Sequence, residues 1–413
     1  MKFVVRKTQR DRHVIESLVR RHGPISRAAI HDMTQLRRST ISALVRELLE
    51  EERLFEDGFA DNPMGRKQVL LRVNEKFGYI VAVEFDDEAV VAAVLDLHPR
   101  IHSVVRETPD LNHGAAGLTE QLKACARKAM AESGIATERF LGIGLADPGL
   151  VDTRRGITQF SSTIDFWRQV PLRDIFQDEF GLPVLVESKT RAKSLAERVL
   201  GAGRMAEDMI YVDYGTGIGS AILVDGRLLY GRDCAAGEFG HIPLDSNGPP
   251  CKCGSIGCLE AIAGAGAIAQ RIRRACREGA GSLALALAGN DVDRIDVWTV
   301  LNAARQGDKI CGTIVAELGR YLGLGMASLV NLFNPSVIVL DKRLEAASDD
   351  LIDQISRVVH RQALMHSSEE LAIRFGELDE HAGVIGIALA VIEQYFEIPA
   401  VGPPLSRTEL VPA

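Results

Sequence analysis

The sequence predicts an α/β protein of two similar lobes, preceded by a small three-helix segment. Three observations lead there. From about Gly78 onward, short apolar strands are mixed with helices, and the pattern runs through twice. Ahead of it, three helical patterns and two short strands fit within the first 73 residues. The chain is 46% hydrophobic and 25% charged over 413 residues, enough for two or three domains with cores of their own.

In the N-terminal segment, Val14, Ile15, Leu18 and Val19 give an apolar stripe from about Thr8 to Arg21, which Gly23-Pro24 ends. Ser26 caps a short helix from Arg27 to about Met33. A third helix runs from about Ser39 to Glu52, with Ile41, Leu44, Val45, Leu48 and Leu49 facing inward. Its opening residues, Arg37, Arg38, Ser39, Thr40 and Ser42, are basic or hydroxylic and stay off that stripe. This is the layout of a helix-turn-helix, whose second helix presents its N-terminal residues to the major groove. Arg53-Leu54-Phe55 and Gln68-Val69-Leu70-Leu71-Arg72-Val73 then read as two strands. The loop between them carries Asn62-Pro63, Gly65, Arg66 and Lys67 and resembles the wing of a winged helix domain. Arg66 suits the minor groove and Lys67 a phosphate.

Charge agrees. Residues 1–80 carry 16 Lys/Arg against 11 Asp/Glu, a net of +5, while the rest carries 32 against 45, a net of −13. A basic end on an acidic body suits one anionic partner, double-stranded DNA. The competing reading is a solvated three-helix module for protein contacts.

The body follows. Tyr79 to Val83 and Val90 to Leu95 read as strands, residues 115–133 as a helix, and Phe140 to Leu145 and Val184 to Val186 as further strands. A helix over 190–200 leads into the second round. That round has strands at Met209 to Val212, Gly219 to Val224 and Val337 to Leu340, with helices near 259–278 and 308–331. A ligand of such a protein sits between the lobes.

Within the second round, Cys251, Cys253 and Cys258 follow His241 by ten to seventeen residues. Three sulfurs and an imidazole make the closed tetrahedral shell of a structural zinc site. Gly248, Gly254 and Gly257 let the loop turn tightly enough for the thiolates to converge. Seven cysteines and an N-terminus without a secretory pattern do not read as a disulfide scaffold. No apolar run reaches the ~20 residues of a membrane span, so the expectation is a cytoplasmic protein with no membrane partner.

Several stretches together resemble the ROK family of repressors and sugar kinases. They are Asp213 to Ser220, Asp225-Gly226-Arg227, Gly237-Glu238-Phe239-Gly240-His241, and Cys251-Lys252-Cys253-Gly254 through Gly257-Cys258-Leu259-Glu260. Weaker similarity covers about residues 78 to 395, including Asp147 to Asp152 and Asn331 to Pro335. The resemblance implies an actin-like fold of two ribonuclease H-like α/β lobes around a sugar cleft, behind a winged helix-turn-helix. Its boundaries are 1–76 for the DNA-binding domain, 77–188 plus about 381–400 for one lobe, and 189–380 for the other. It also implies zinc on His241, Cys251, Cys253 and Cys258, and sugar hydroxyls on Glu238, His241 and Glu260. A carboxylate accepts from vicinal hydroxyls, and a metal-bound imidazole keeps one nitrogen to donate. Glu260 alternatively reads as a helix-start carboxylate, and Glu238 as a surface turn residue.

Three departures separate the chain from the family's kinases. Those carry a Gly-Gly-Thr phosphate loop after the first strand, where glycine admits phosphate to backbone N–H groups. Here the stretch is Glu84-Phe85-Asp86-Asp87-Glu88, four carboxylates toward a polyanion. Where the kinases have Glu-Asn-Asp, with the Asp as general base, the chain has Glu187-Ser188-Lys189. A lysine of ordinary pKa near 10.4 takes no proton at neutral pH. The glycines on the adenine side are replaced by Asp341-Lys342, and Thr163 stands where many members have Asn. Lys189 is expected to pair internally with Glu187, Glu238 or Glu260, the alternative being an anionic effector held by Ser188 and Lys189. The reading is a catalytically silent, sugar-sensing DNA-binding regulator, a repressor, acting as a homodimer or dimer of dimers. The competing reading is an ATP-dependent, glucokinase-like enzyme.

Overall fold

The computed structural model describes residues 7–60, 67–347 and 351–397. The chain divides into two compact units. One comprises Met1–Tyr79, Asp96–Arg100 and Ile392–Ala413, the other Ile80–Leu95 and Ile101–Val391.

In the first unit, helices Lys7–His22, Arg27–Thr34 and Arg38–Glu50 follow one another. Ile15, Val19, Ile30, Ile41, Leu44, Val45 and Leu48 are all buried, so the apolar stripes converge on one core. Ser26 caps the second helix by accepting from the Ala29 N–H at 3.2 Å. The turn into the third helix is held by side chains. Thr34 Oγ1 donates to Ile30 O at 2.7 Å and accepts from Leu36 N–H at 3.2 Å. A three-stranded sheet completes the unit, in the order Ile25–Ser26, Gln68–Val73, Leu54–Ala60. The last two strands are antiparallel, with Leu54 opposite Val73 and Ala60 opposite Gln68. Strand Leu54–Ala60 extends five residues beyond the Phe55 end read from the sequence. Arg53 fastens this corner. It pairs with the buried Glu16 at 2.5 Å and lies 4.6 Å over the Phe77 ring.

The second unit holds two five-stranded sheets of one design. Numbered along the chain within each sheet, both have the order 5-4-1-2-3. The first runs Val184–Ser188, Phe140–Asp147, Tyr79–Phe85, Val90–Asp96, Ile101–Glu107, and the second Ala372–Phe375, Val337–Leu340, Met209–Tyr214, Ile218–Val224, Arg227–Leu228. Strand three of each sheet is an antiparallel hairpin partner of strand two, and strands four and five run parallel. This duplication is what the two rounds of alternation encoded. Ile101–Glu107, Arg227–Leu228 and Ala372–Phe375 were not legible as strands, because each lies at a sheet edge with an exposed face. A third, small antiparallel sheet of Leu150–Asp152, Ile157–Phe160 and Arg168–Val170 also carried no clear alternation.

Helix Lys309–Phe333 is long and apolar enough by composition to cross a membrane, but it serves as a core helix. Twelve of its residues are buried, and it packs on helix Leu351–Gln362. A Cβ at Gly323 would meet Val358 at 2.6 Å, so glycine sets that close approach. The helical stretch near 259–278 is two helices, Leu259–Ala263 and Ala265–Arg277, broken at Gly264.

Candidate functional site

The residues expected to meet DNA stand on the opening of helix Arg38–Glu50. Arg37, Arg38, Ser39 and Ser42 are exposed, and Thr40 is half-buried. Lys67 is exposed at the end of the hairpin loop. Arg66 lies outside the described residues.

In the second unit, a cleft with about 950 Å³ of open space, mouth included, gathers most of the other candidate residues: Ser188, Lys189, Glu238, His241 and Glu260. Thr163 lines it too, in a loop where its hydroxyl meets Ser161 Oγ at 3.1 Å. Hairpin Met209–Tyr214 to Ile218–Val224 turns at Gly215-Thr216-Gly217, with Tyr214 opposite Ile218. Glu260 Oε2 accepts the Ile218 N–H at 2.9 Å, fastening that turn to the start of helix Leu259–Ala263. Glu238 follows Gly237, whose φ is +94° and where a Cβ would lie 2.3 Å from Ser220 O. No side chain fits there. The loop is thereby pressed on strand Ile218–Val224, and Glu238 is left half-exposed, 4.0 Å from His241 Nε2.

The expected partners of Lys189 require correction. Its ammonium does not pair with Glu187, Glu238 or Glu260; it lies 2.7 Å from Asp86 Oδ2. Glu187 is already taken. It accepts from Arg191 at 3.0 Å, from Tyr230 OH at 2.9 Å and from the Ser188 N–H at 2.7 Å. Arg191 in turn donates to the carbonyls of Cys234 and Ala236, so this buried cluster anchors the segment leading to Glu238. Burial alone would lower the Lys189 pKa, but Asp86, helped by Asp213 and Glu84, raises it above its ordinary value. Burial would raise Asp86, but Lys189 and the N–H groups of Ala89 and Glu88 hold it below the usual carboxylate range. Both groups are therefore ionised at neutral pH.

The rest of the acidic turn is bound as well. Asp87 accepts from Thr216 Oγ1 at 3.0 Å, and Glu88 lies 3.7 Å from Arg343. Glu84 differs from the expectation of four carboxylates facing one polyanion, because it is buried against Gly383 instead. Lys193, one helical turn after Lys189, bridges Asp213 at 2.9 Å and Asp341 at 3.4 Å. Arg343 takes both oxygens of Asp341 at 3.0 Å. Sequence reading missed Arg191, Lys193, Tyr230 and Arg343. The signal available was the spacing of four between Lys189 and Lys193, which puts both on one face of helix Lys189–Leu200, and the place of Glu187 at the end of strand Val184–Ser188, just ahead of the helix turn that carries Arg191.

His241, Cys251, Cys253 and Cys258 offer ligand atoms that all lie within 4.8 Å of one another. Cys251 Sγ is 3.6 Å from His241 Nδ1, and Cys253 Sγ is 3.7 Å from Cys258 Sγ. A tetrahedron with metal–ligand arms of ~2.0–2.3 Å has edges of about 3.3–3.8 Å, so the four residues fit a metal ion. At Gly257 φ is +67° and a Cβ would lie 1.6 Å from Asp245 O, which makes glycine obligatory in the loop.

The family model named ROK family matches residues 81–394, about three-quarters of the chain. The chain belongs to the ROK family. Among its ROK relatives, the xylose repressor of Caldicellulosiruptor bescii is 27% identical over 91% of this chain and 93% of its own. A solved ROK family transcriptional regulator, a homologue of the Escherichia coli Mlc protein, superposes with a TM-score of 0.79 at 26% identity, covering 94% of this chain and 96% of its own. The ROK family glucokinase of Streptomyces griseus, solved with glucose and AMPPNP, gives a TM-score of 0.66 at 30% identity and covers 75% of this chain and 98% of its own. The two regulators each match more than nine-tenths of this chain, and the kinase match leaves a quarter of it uncovered. Among ROK proteins this one is a regulator of the repressor type.

Proposed function

We propose that this ROK protein is a sequence-specific DNA-binding repressor whose second unit binds a neutral sugar without phosphorylating it. The observation that carries the reading is the 2.7 Å pair of Lys189 with Asp86. At the position of the kinase general base it puts a permanently charged ammonium, and at the phosphate loop a carboxylate engaged by that ammonium. ATP finds neither a base for its acceptor nor a glycine cradle for its phosphates.

The cleft favours a neutral effector over a sugar acid or sugar phosphate. Its cations are matched already: Lys189 by Asp86, Arg191 by Glu187 and Arg343 by Asp341. What faces a ligand is acceptor-rich, with Glu238, Glu260 and the His241 ring, and suits vicinal hydroxyls. Zinc on His241, Cys251, Cys253 and Cys258 would hold the loop that carries His241, leaving the other ring nitrogen toward the sugar. Arg37, Arg38, Ser39, Thr40 and Ser42 would read the major groove, with Arg66 in the minor groove and Lys67 on phosphate. Paired half-sites call for a homodimer in the cytoplasm. The sugar's influence on the operator equals its differential affinity for the DNA-bound and DNA-free states.

The test is fluorescence anisotropy on operator DNA with and without xylose, glucose and N-acetylglucosamine. Wild type is expected to respond to one of them. Glu238→Gln should keep DNA affinity and need at least about 10-fold more sugar, the size of one charge-assisted hydrogen bond. Arg38→Ala should weaken DNA and shift the salt slope by about one if it meets a phosphate. A sugar response untouched by Glu238→Gln, or DNA affinity untouched by Arg38→Ala, refutes the corresponding half.

A further inference from the structure

Helix Arg38–Glu50 buries Ile41, Leu44, Val45 and Leu48. At about 100° per residue, the line pointing straight away from that stripe runs through Ser39, Ala43, Arg46 and Glu50. Arg38 and Ser42 stand to one side of the line, Thr40 and Glu47 to the other. Ser39, Ala43 and Arg46 are all exposed. The DNA contacts expected from the sequence thus cover only the opening of this face. Arg46 is also chemically available. Among the described residues no ion-pair partner engages it, whereas Arg12, Arg27, Arg53 and Arg72 of the same unit are held by Glu51, Glu56, Glu16 and Asp57.

We propose that Ala43 and Arg46 read base edges in the major groove, Ala43 the methyl group of a thymine and Arg46 a guanine. The inference rests on the DNA-binding reading of this unit and adds what its operator contains. Ser39 and Ala43 carry so little bulk that the helix can lie close to the groove floor. The Ala43 methyl then meets the one apolar feature of that floor, the C5-methyl of thymine. Helical side chains lean toward the N-terminus, so the long stem of Arg46 returns its guanidinium toward Ala43 and away from the flanking phosphates. Its paired N–H donors match the O6 and N7 of guanine. Three residues rise about 4.5 Å, little more than one base-pair step of about 3.4 Å, which puts the guanine and the thymine within about three base pairs of each other. Arg38, off the line, faces a groove wall, where phosphate is its partner. Glu50 ends the helix, beyond the part that enters the groove.

The purified full chain is used to select from duplexes of about 30 random base pairs, long enough for two half-sites one helical turn or more apart. The enriched motif is compared with those of Arg46→Ala and Ala43→Gly, both checked by circular dichroism. Wild type is expected to enrich a repeated half-site holding that guanine and thymine. Arg46→Ala should lose the guanine preference and bind the wild-type site at least about 10-fold more weakly, while discriminating at the other positions as before. Ala43→Gly should lose the thymine preference. Replacing that thymine by uracil should weaken wild type about 3- to 5-fold, the worth of one buried methyl, and leave Ala43→Gly unaffected. The uracil arm alters no residue, so no folding defect can imitate it. An Arg46→Ala protein that selects the wild-type motif with uniformly lower affinity would make Arg46 a phosphate contact and overturn its assignment. Indifference of wild type to uracil would do the same for Ala43. Enrichment of no motif by wild type would refute the DNA reading itself, and this inference with it.

Discussion

Replacing Lys189 by Met asks directly whether the cation at the lost base position holds the acidic turn. At 2.7 Å and an effective dielectric of about 20, the attraction between Lys189 and Asp86 is roughly 6 kcal/mol. Desolvation of the two ions, 14% and 20% exposed, cancels much of that. Methionine keeps the aliphatic stem but leaves Asp86 buried and charged. Removing one partner of a fully buried pair costs about 3–5 kcal/mol. Asp86 keeps the N–H groups of Glu88 and Ala89, both at 2.8 Å, which brings the expected loss to about 2–3 kcal/mol. Urea unfolding followed by tryptophan fluorescence reads this unit, because both tryptophans, Trp167 and Trp298, belong to it. The same change in an Asp86→Asn background should cost under about 1 kcal/mol, giving a coupling of roughly 1.5–2 kcal/mol. A Lys189→Met protein within 0.5 kcal/mol of wild type, or strict additivity with Asp86→Asn, would refute the reasoning.

Acid should expose the same pair. Asp86 titrates below its unfolded value of about 3.9, so its contribution is present above about pH 4 and lost as pH falls through the folded value. Lys189 titrates above its unfolded value of about 10.4, so its share is present below that and lost as pH rises further. The fluorescence midpoint of wild type should therefore fall more steeply below pH 4 than that of the Lys189→Met, Asp86→Asn double variant; parallel curves would contradict this. Cys253→Ser should reduce bound zinc, read by atomic emission, from one per chain toward zero and lower the melting temperature by several degrees. Full metal content in that variant would remove Cys253 from the ligand set. Gly217→Ala would bring a Cβ within 2.8 Å of Glu260 Oε2 and should weaken sugar binding several-fold in calorimetry, with an unchanged isotherm counting against Glu260 as a wall of the cleft.

The sequence was legible where one physical signal dominated a local stretch. Ser26 before an apolar stripe announced a capped helix, and His241 with three closely spaced cysteines announced a set of metal-ligating atoms. Repetition of buried strands announced two alike sheets. Edge strands were illegible because half their faces are wet, so that their composition resembles loop. The partner of Lys189 was illegible for another reason. Asp86 is 103 residues away in the chain, and local spacing offered Glu187, which Arg191 and Tyr230 had already claimed. Charge inventories give the members of such a network, while its pairing is decided by the fold. Glu84 illustrates the same limit, since four adjacent acidic positions looked equivalent and only one is withdrawn from the turn.

Transfer of labelled phosphate from Mg·ATP to xylose, glucose and N-acetylglucosamine, by purified wild-type protein, tests the central claim most directly. The account predicts no sugar phosphate above the level formed without protein, even at sugar concentrations that change operator binding. Steady turnover that Glu238→Ala abolishes would contradict it and make the charged crevice an active one.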